Sequence, residues 1–183
     1  MLFRSLSTDT LGLQARKQEA LMQDHKIYAA IAYARINKLN RITLNAEKAR
    51  FGIVASGKSY RDVLEALEEL GIGQAEVDEI GMRLFKVAMP WPLEPDSVRE
   101  FADGLDEILV VEEKRQIVEY QLKEHVYNWR DDVRPRVIGK FDEEGEWVPP
   151  HGQWLLPAKG DLSVAQIARV IAARIARFHT SDK

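Results

Sequence analysis

The sequence predicts an α/β domain: a mainly parallel sheet covered by helices. Three observations carry this. Between Phe85 and Gln121 an apolar strand, a proline-punctuated turn, a helix, a second apolar strand and another helix follow in turn, the order expected of a helix-covered sheet. The run Ile108–Val111 is wholly apolar, which implies burial on both faces, as in a parallel sheet. The chain has 183 residues, 45% hydrophobic and 30% charged, enough for one domain with a proper core.

Each element follows from local pattern. Residues 1–12 are polar and patternless. From Leu13 to about Leu39, apolar residues such as Leu21, Ile27, Ile31 and Ala34 recur at helical spacing, and Asn37, Asn40 and Asn45 break the pattern. This helix precedes the first expected strand and reads as a linker or outer brace. Phe51–Ala55 is a short buried strand. Ser59 is expected to cap the next helix, with Asp62 three positions on. Val63, Leu64, Leu67 and Leu70 form its stripe and Gly71 ends it. A short helical stretch over Gln74–Gly81 leads into a strand at Leu84–Ala88. Pro90 and Pro92 stop that strand, because each lacks a backbone donor and fixes φ. Pro95 suits the first turn of a helix that buries Val98, Phe101, Ala102 and Leu105. After Ile108–Val111 come a helix over Gln116–Tyr127 and a strand at Arg136–Gly139. Lys140–Lys159 lacks periodicity and reads as a long loop or hairpin, often an interaction element. Ser163 and Gln166 form a capping box for a last helix lined by Val164, Ile167, Ala168, Ile171, Ile175 and Phe178.

Composition narrows the function. The net charge of −3 gives no global attraction for nucleic acid or an anionic membrane. Absence of cysteine excludes disulfides, thiolate zinc sites, a cysteine nucleophile and an iron–sulfur cluster held by this chain. No apolar run approaches the ~20 residues of a membrane span, and the amino terminus has no secretory pattern. The expectation is a cytoplasmic protein with no nucleic-acid or membrane partner.

One motif invites a different reading. Gly52-Ile53-Val54-Ala55-Ser56-Gly57-Lys58-Ser59 satisfies the phosphate-loop pattern, and Ile108–Glu112 imitates an acidic strand that helps hold magnesium. A phosphate loop, however, needs an apolar strand before its first glycine, so that the intervening amides stay free to form a nest. Here Ala46–Arg50 is mostly polar and the β-branched residues lie inside the motif, where they favour extended structure. Their amides are expected in a sheet ladder, with Gly57 making the turn.

The remaining candidates are weaker. His25, His125, His151 and His179 show no ligand spacing. Glu112 and Glu113 are adjacent at a strand end and point to opposite sides, so they are no facing acid–base pair. Glu112 is expected to pair with Lys58, and Glu113 to be solvated or at an interface. If the strands are parallel, Ser56–Ser59, Pro90-Trp91-Pro92 and Glu112–Arg115 gather along one sheet edge, where α/β domains place ligands and contacts. Lys58, Ser59, Trp91, Glu112 and Glu113 are therefore interface candidates. No catalytic, cofactor-binding or metal-binding residue is assigned. Exposed apolar surface is expected around Trp91 or the Trp147–Trp154 loop.

At these residues the chain resembles a known family. Gly52–Ile72 (GIVASGKSYRDVLEALEELGI), Lys86–Asn128 with its WPL and VVEEKR segments, Arg134–Trp147 and Leu155–Ser163 are similar to the 2-oxoacid:ferredoxin oxidoreductases, nearest the indolepyruvate type in its long fused form. Ala32–Ile42 (AYARINKLNRI) resembles that family's lead-in. The resemblance implies a transketolase C-terminal-like fold, three-layer α/β/α around a mainly parallel five-stranded sheet with one antiparallel edge strand. Four strands are visible, which leaves one to be hidden in Lys140–Leu156. Residues 1–45 would be a lead-in with a long helix and residues 46–183 the α/β domain.

The resemblance also implies a parent enzyme that oxidatively decarboxylates aryl pyruvates with thiamine diphosphate, magnesium, iron–sulfur clusters, coenzyme A and ferredoxin. None of those sites maps onto this chain. It is expected to be an inactive fragment of a longer polypeptide. Its role would be that of a non-catalytic structural and interface domain bracing thiamine-binding and other domains, in an enzyme that is a homo-oligomer. Two rival readings remain at this stage: a P-loop-like nucleotide-binding enzyme, and a stand-alone binding module using the carboxyl edge of the sheet.

Overall fold

The computed structural model describes residues 11–143, 145 and 154–179. Among them the chain order is α1 (Leu11–Leu21), a π turn (Met22–Lys26), α2 (Ile27–Ile36), β1 (Arg41–Asn45), β2 (Phe51–Ser56), α3 (Gly57–Glu69), α4 (Gln74–Ile80), β3 (Met82–Val87), α5 (Pro95–Ala102), β4 (Glu107–Val111), α6 (Val118–Tyr127), β5 (Arg136–Ile138) and α7 (Val164–Ile175). The five strands lie in the order β1-β3-β2-β4-β5. β2 runs parallel to β3 and β4, β5 runs parallel to β4, and β1 pairs antiparallel with β3.

β2 is the spine because every residue from Phe51 to Ala55 is buried. Alternation sends its side chains to two different layers. Phe51 stacks on Phe178, just beyond α7, at 5.7 Å between ring centroids. Gly52 faces the other way. A β-carbon there would lie 2.5 Å from Leu105 Cδ1 and 2.7 Å from Phe101 Cζ, so the first glycine of the phosphate-loop pattern is needed for close packing of α5. Phe85, opposite Val54 in the register, stacks on Phe101 at 4.8 Å. Thus α3 and α7 cover one face and α5 and α6 the other, the expected three-layer sandwich. The connection through α3 winds to one side of β2, and those through α5 and α6 return to the other.

The structure corrects four expectations. The fifth strand is β1, within the stretch read as lead-in, and not in Lys140–Leu156. Along Lys140–Leu156 the described residues give one isolated bridge, Phe141 to Trp154, with the rings 4.2 Å apart. β1 escaped detection because an edge strand is only half-buried: Ile42 and Leu44 pack on the core while Arg41 and Asn45 are exposed. The first helix stops at Ile36 and contains a π turn, and Lys38 at φ 47° reverses the chain toward β1. Ser59 is not the cap of α3. Ser56 holds that position without a side-chain bond, Gly57 at φ 54° turns the chain, and Ser59 is buried inside the first turn. Asp62 completes no capping box; it accepts from the Lys58 ammonium.

The remaining elements match their sequence signals closely. Ser163 and Gln166 form the expected capping box at α7. Gly81 ends α4 in the left-handed region, φ 76°. Its β-carbon would lie 2.9 Å from the Lys48 carbonyl, so only glycine fits there.

Candidate functional site at the carboxyl edge of the sheet

The reversal of strand order falls beside β2, and the loops leaving β2 and β4 diverge to opposite faces. Such a point opens a crevice outside the strand ends. Here the crevice holds about 280 Å³ and is lined by Lys58, Ser59, Pro90, Glu112, Glu113 and Ile117, among others. Four of the five interface candidates, Lys58, Ser59, Glu112 and Glu113, therefore meet in one cleft. The fifth, Trp91, lies outside it and is 60% exposed.

The two glutamates divide as strand alternation requires, but their partners are the reverse of those expected. Glu112 is buried on the α6 side. Its Oε2 accepts from the amides of Ile117 (2.9 Å) and Val118 (3.0 Å), and its Oε1 from Glu119 (3.1 Å). It thus satisfies the orphan donors at the start of α6. Glu113 points toward α3 and is the glutamate that meets Lys58, at 3.7 Å, while accepting from the Leu162 amide at 3.2 Å. The Lys58 ammonium also donates to Asp62 at 2.6 Å and to the Leu162 carbonyl at 3.4 Å. The bond to Asp62, with the Asp62, Glu113 and Asp161 charges, raises its pKa above the ordinary lysine value.

Sequence reasoning missed the groups that fix these loops. Lys140 is fully buried; it donates to the Glu112 carbonyl and, at 3.3 Å, to the Pro157 carbonyl. Burial holds its pKa below the usual lysine range, partly offset by Glu112, Glu113 and Glu119. Glu119, also buried, accepts from the Lys140 amide at 3.1 Å and the Lys123 ammonium at 2.6 Å. On the Pro-Trp-Pro side, Asn40 accepts from the amides of Ala88 (2.9 Å) and Met89 (3.0 Å). Gln121 of α6 accepts from the Leu93 amide (2.8 Å) and donates to the Pro90 carbonyl (2.7 Å). Glu94 caps α5, accepting from Asp96 and Ser97, and pairs with Arg35 of α2. Those amide bonds and Arg35 hold its pKa below the usual carboxylate range, although burial acts in the opposite sense. The turn bearing Trp91, whose Trp91–Pro92 peptide is cis, is therefore gripped from both flanks. Only Pro95, read as the first turn of a helix, marked any of this in sequence.

The phosphate-loop pattern is not a phosphate loop. Ile53, Val54 and Ala55 are in register with β3 on one side and β4 on the other, so their amides serve the ladders. A thiamine diphosphate does not suit the crevice either. Two carboxylates line it, and its one ammonium is already shared by Asp62, Glu113 and a carbonyl. Among the described residues no group of three or more His, Asp or Glu side chains is placed to hold a metal, and no helix is long and apolar enough to cross a membrane.

Fold and site together define a doubly wound α/β domain whose edge polar groups are engaged in holding its own loops. Residues 40–183 match the family described as the indolepyruvate ferredoxin oxidoreductase middle domain, and the chain belongs to that family. It is 30% identical over 126 residues to the indolepyruvate oxidoreductase subunit IorA of Thermococcus kodakarensis, covering 69% of this chain and 16% of that protein. With the corresponding subunit of Pyrococcus horikoshii it shares 34% over 94 residues, 51% of this chain and 13% of the relative. The chain thus spans about a sixth of the length of these relatives. Among solved structures, a split-gene transketolase, described as an inactive β4 tetramer, overlaps with a TM-score of 0.46 at 18% identity, over 76% of this chain and 42% of that one. A 2-oxoglutarate:ferredoxin oxidoreductase from Magnetococcus marinus overlaps with a TM-score of 0.48 at 14% identity, over 93% and 24%.

Proposed function

We propose that this chain is a non-catalytic structural and interface domain of a cytoplasmic indolepyruvate:ferredoxin oxidoreductase, an enzyme that oxidatively decarboxylates aryl pyruvates. In this reading the thiamine diphosphate, magnesium, iron–sulfur clusters and the sites for coenzyme A and ferredoxin belong to other domains or subunits, and the assembled enzyme is a homo-oligomer. The observation that carries the reading is the state of the crevice. Lys58, Glu112 and Glu113 are each committed to a helix start, a loop amide or one another, as befits a brace. Beside them Trp91 stands 60% exposed on a turn held from both flanks. A rigidly presented tryptophan suits an interface anchor. Trp154 is 45% exposed and rests on Phe141, and Trp147 lies outside the described residues.

Turnover tests the reading. The chain alone, mixed with an aryl pyruvate, thiamine diphosphate, coenzyme A and ferredoxin, gives no acyl-coenzyme A above a protein-free control. In the assembled enzyme, Trp91→Ala lowers the fraction of complete oligomer by at least tenfold in sedimentation. Product from the chain alone, or an oligomer indifferent to Trp91, overturns it.

A further inference from the structure

The opposite flank of β2 carries charge of a single sign. A cleft of about 510 Å³ opens between the carboxyl ends of β2 and β3, lined by Ser56, Tyr60, Arg61, Lys86 and Pro90, with no acidic side chain on its walls. Half-buried Lys86 lies over the Tyr60 ring, 5.1 Å from its centroid. In the β1–β3 register Lys86 stands directly opposite Arg41. Directly opposed side chains share a face within ~5 Å, and like charges so placed repel.

Several cations elsewhere in the molecule are neutralised. In the neighbouring crevice Lys58 has two carboxylates. Arg35, Arg50, Lys123 and Arg174 each have at least one. Among the described residues, no carboxylate pairs with Arg41, Arg61 or Lys86. An uncompensated cationic concavity raises the local concentration of anions. Its size is that of a small-molecule site, a few hundred Å³. A guanidinium grips a phosphate with two parallel bonds, and an ammonium adds a point charge.

We propose that this cleft binds the phosphate group of a small anionic ligand, with Arg61 and Lys86 as its contacts and Tyr60 forming a wall. The site is separate from the crevice at Lys58 and independent of the interface role given to Trp91.

Inorganic pyrophosphate, titrated into the full chain at constant ionic strength and followed by amide NMR shifts, is the test. Saturable binding in the sub-millimolar range is expected, with shifts centred on Ser56–Arg61 and Lys86–Ala88. Arg61→Gln with Lys86→Met weakens it at least tenfold, and the charge-preserving pair Arg61→Lys with Lys86→Arg retains most of it. Arg130→Gln, a remote exposed cation, changes affinity less than twofold. No saturation, equal weakening by Arg130→Gln, or loss on Lys58→Met with none on the Arg61/Lys86 pair, overturns the proposal. Unchanged circular dichroism of each variant separates lost binding from lost fold.

Discussion

The two ends of β4 solve one problem in opposite ways. Each has a buried glutamate. At the amino end Glu107 is held by a guanidinium: Arg174 donates from Nε at 2.7 Å and Nη2 at 2.5 Å, with Arg136 at 3.7 Å and Arg177 at 3.9 Å behind it. Glu143 closes the cluster, bonding Arg174 at 2.8 Å, Arg136 at 3.2 Å and Arg177. At the carboxyl end Glu112 takes three amides from the start of α6 and, among the described residues, no side-chain cation. The first arrangement clamps β4, β5 and α7 together from distant parts of the chain. The second is local, within seven residues, and fixes one loop. The carboxyl edge is tied to distant chain by other groups, Lys140 on the Glu112 carbonyl and the Leu162 amide on Glu113, whereas at the amino end the buried glutamate itself makes the long-range contact.

Breaking the clamp should have the largest effect. Arg174→Met leaves Glu107 buried without its bidentate partner, and loss of one member of a buried pair costs about 3–5 kcal/mol; the urea unfolding midpoint reads it. A loss below 1 kcal/mol would mean that Arg136 and Arg177 take over and the two ends differ less than the geometry implies. Next, Glu112→Ala strands three amides at the start of α6 and should cost about 1–3 kcal/mol. Hydrogen exchange should accelerate first at Ile117–Glu119 and leave β5 and α7 protected, since the bond set is local.

The smallest effect is in pH. The Arg174 and Arg177 guanidiniums hold the Glu143 carboxyl down to about 2, below the ~4.3 of an unfolded chain. Between those values the unfolded state binds more protons, so stability falls as pH falls. The contribution is complete above the unfolded value and is lost on descending toward pH 2. With the side chain 32% exposed, screening reduces it to about 1–2 kcal/mol. Glu143→Gln should flatten the pH dependence of the urea midpoint over that window. An unchanged slope would remove Glu143 from the clamp.

The same contrast marks what could be read from the residues in advance. That Glu112 and Glu113 point to opposite sides followed from alternation alone, and the gathering of Lys58, Ser59, Glu112 and Glu113 followed from parallel strands ending together. Which glutamate meets Lys58 did not, because that depends on where α3 and α6 rest against the sheet. The clamp was invisible. Glu107, Glu143 and Arg174 are ordinary charged residues in sequence, separated by up to 67 positions.

By itself the sequence determined the three central strands, the helices between them and the exclusion of a phosphate loop. Apolar runs, prolines and caps act over a few residues, and β-branched positions inside the glycine motif demand a ladder. Tertiary structure alone decided that Arg41–Asn45 is a strand, that Lys140 is buried and that Arg61 and Lys86 face a common cleft. Each of these depends on neighbours far along the chain. An edge strand needs a partner to be a strand at all, and the environment of a charge is set by whatever folds around it.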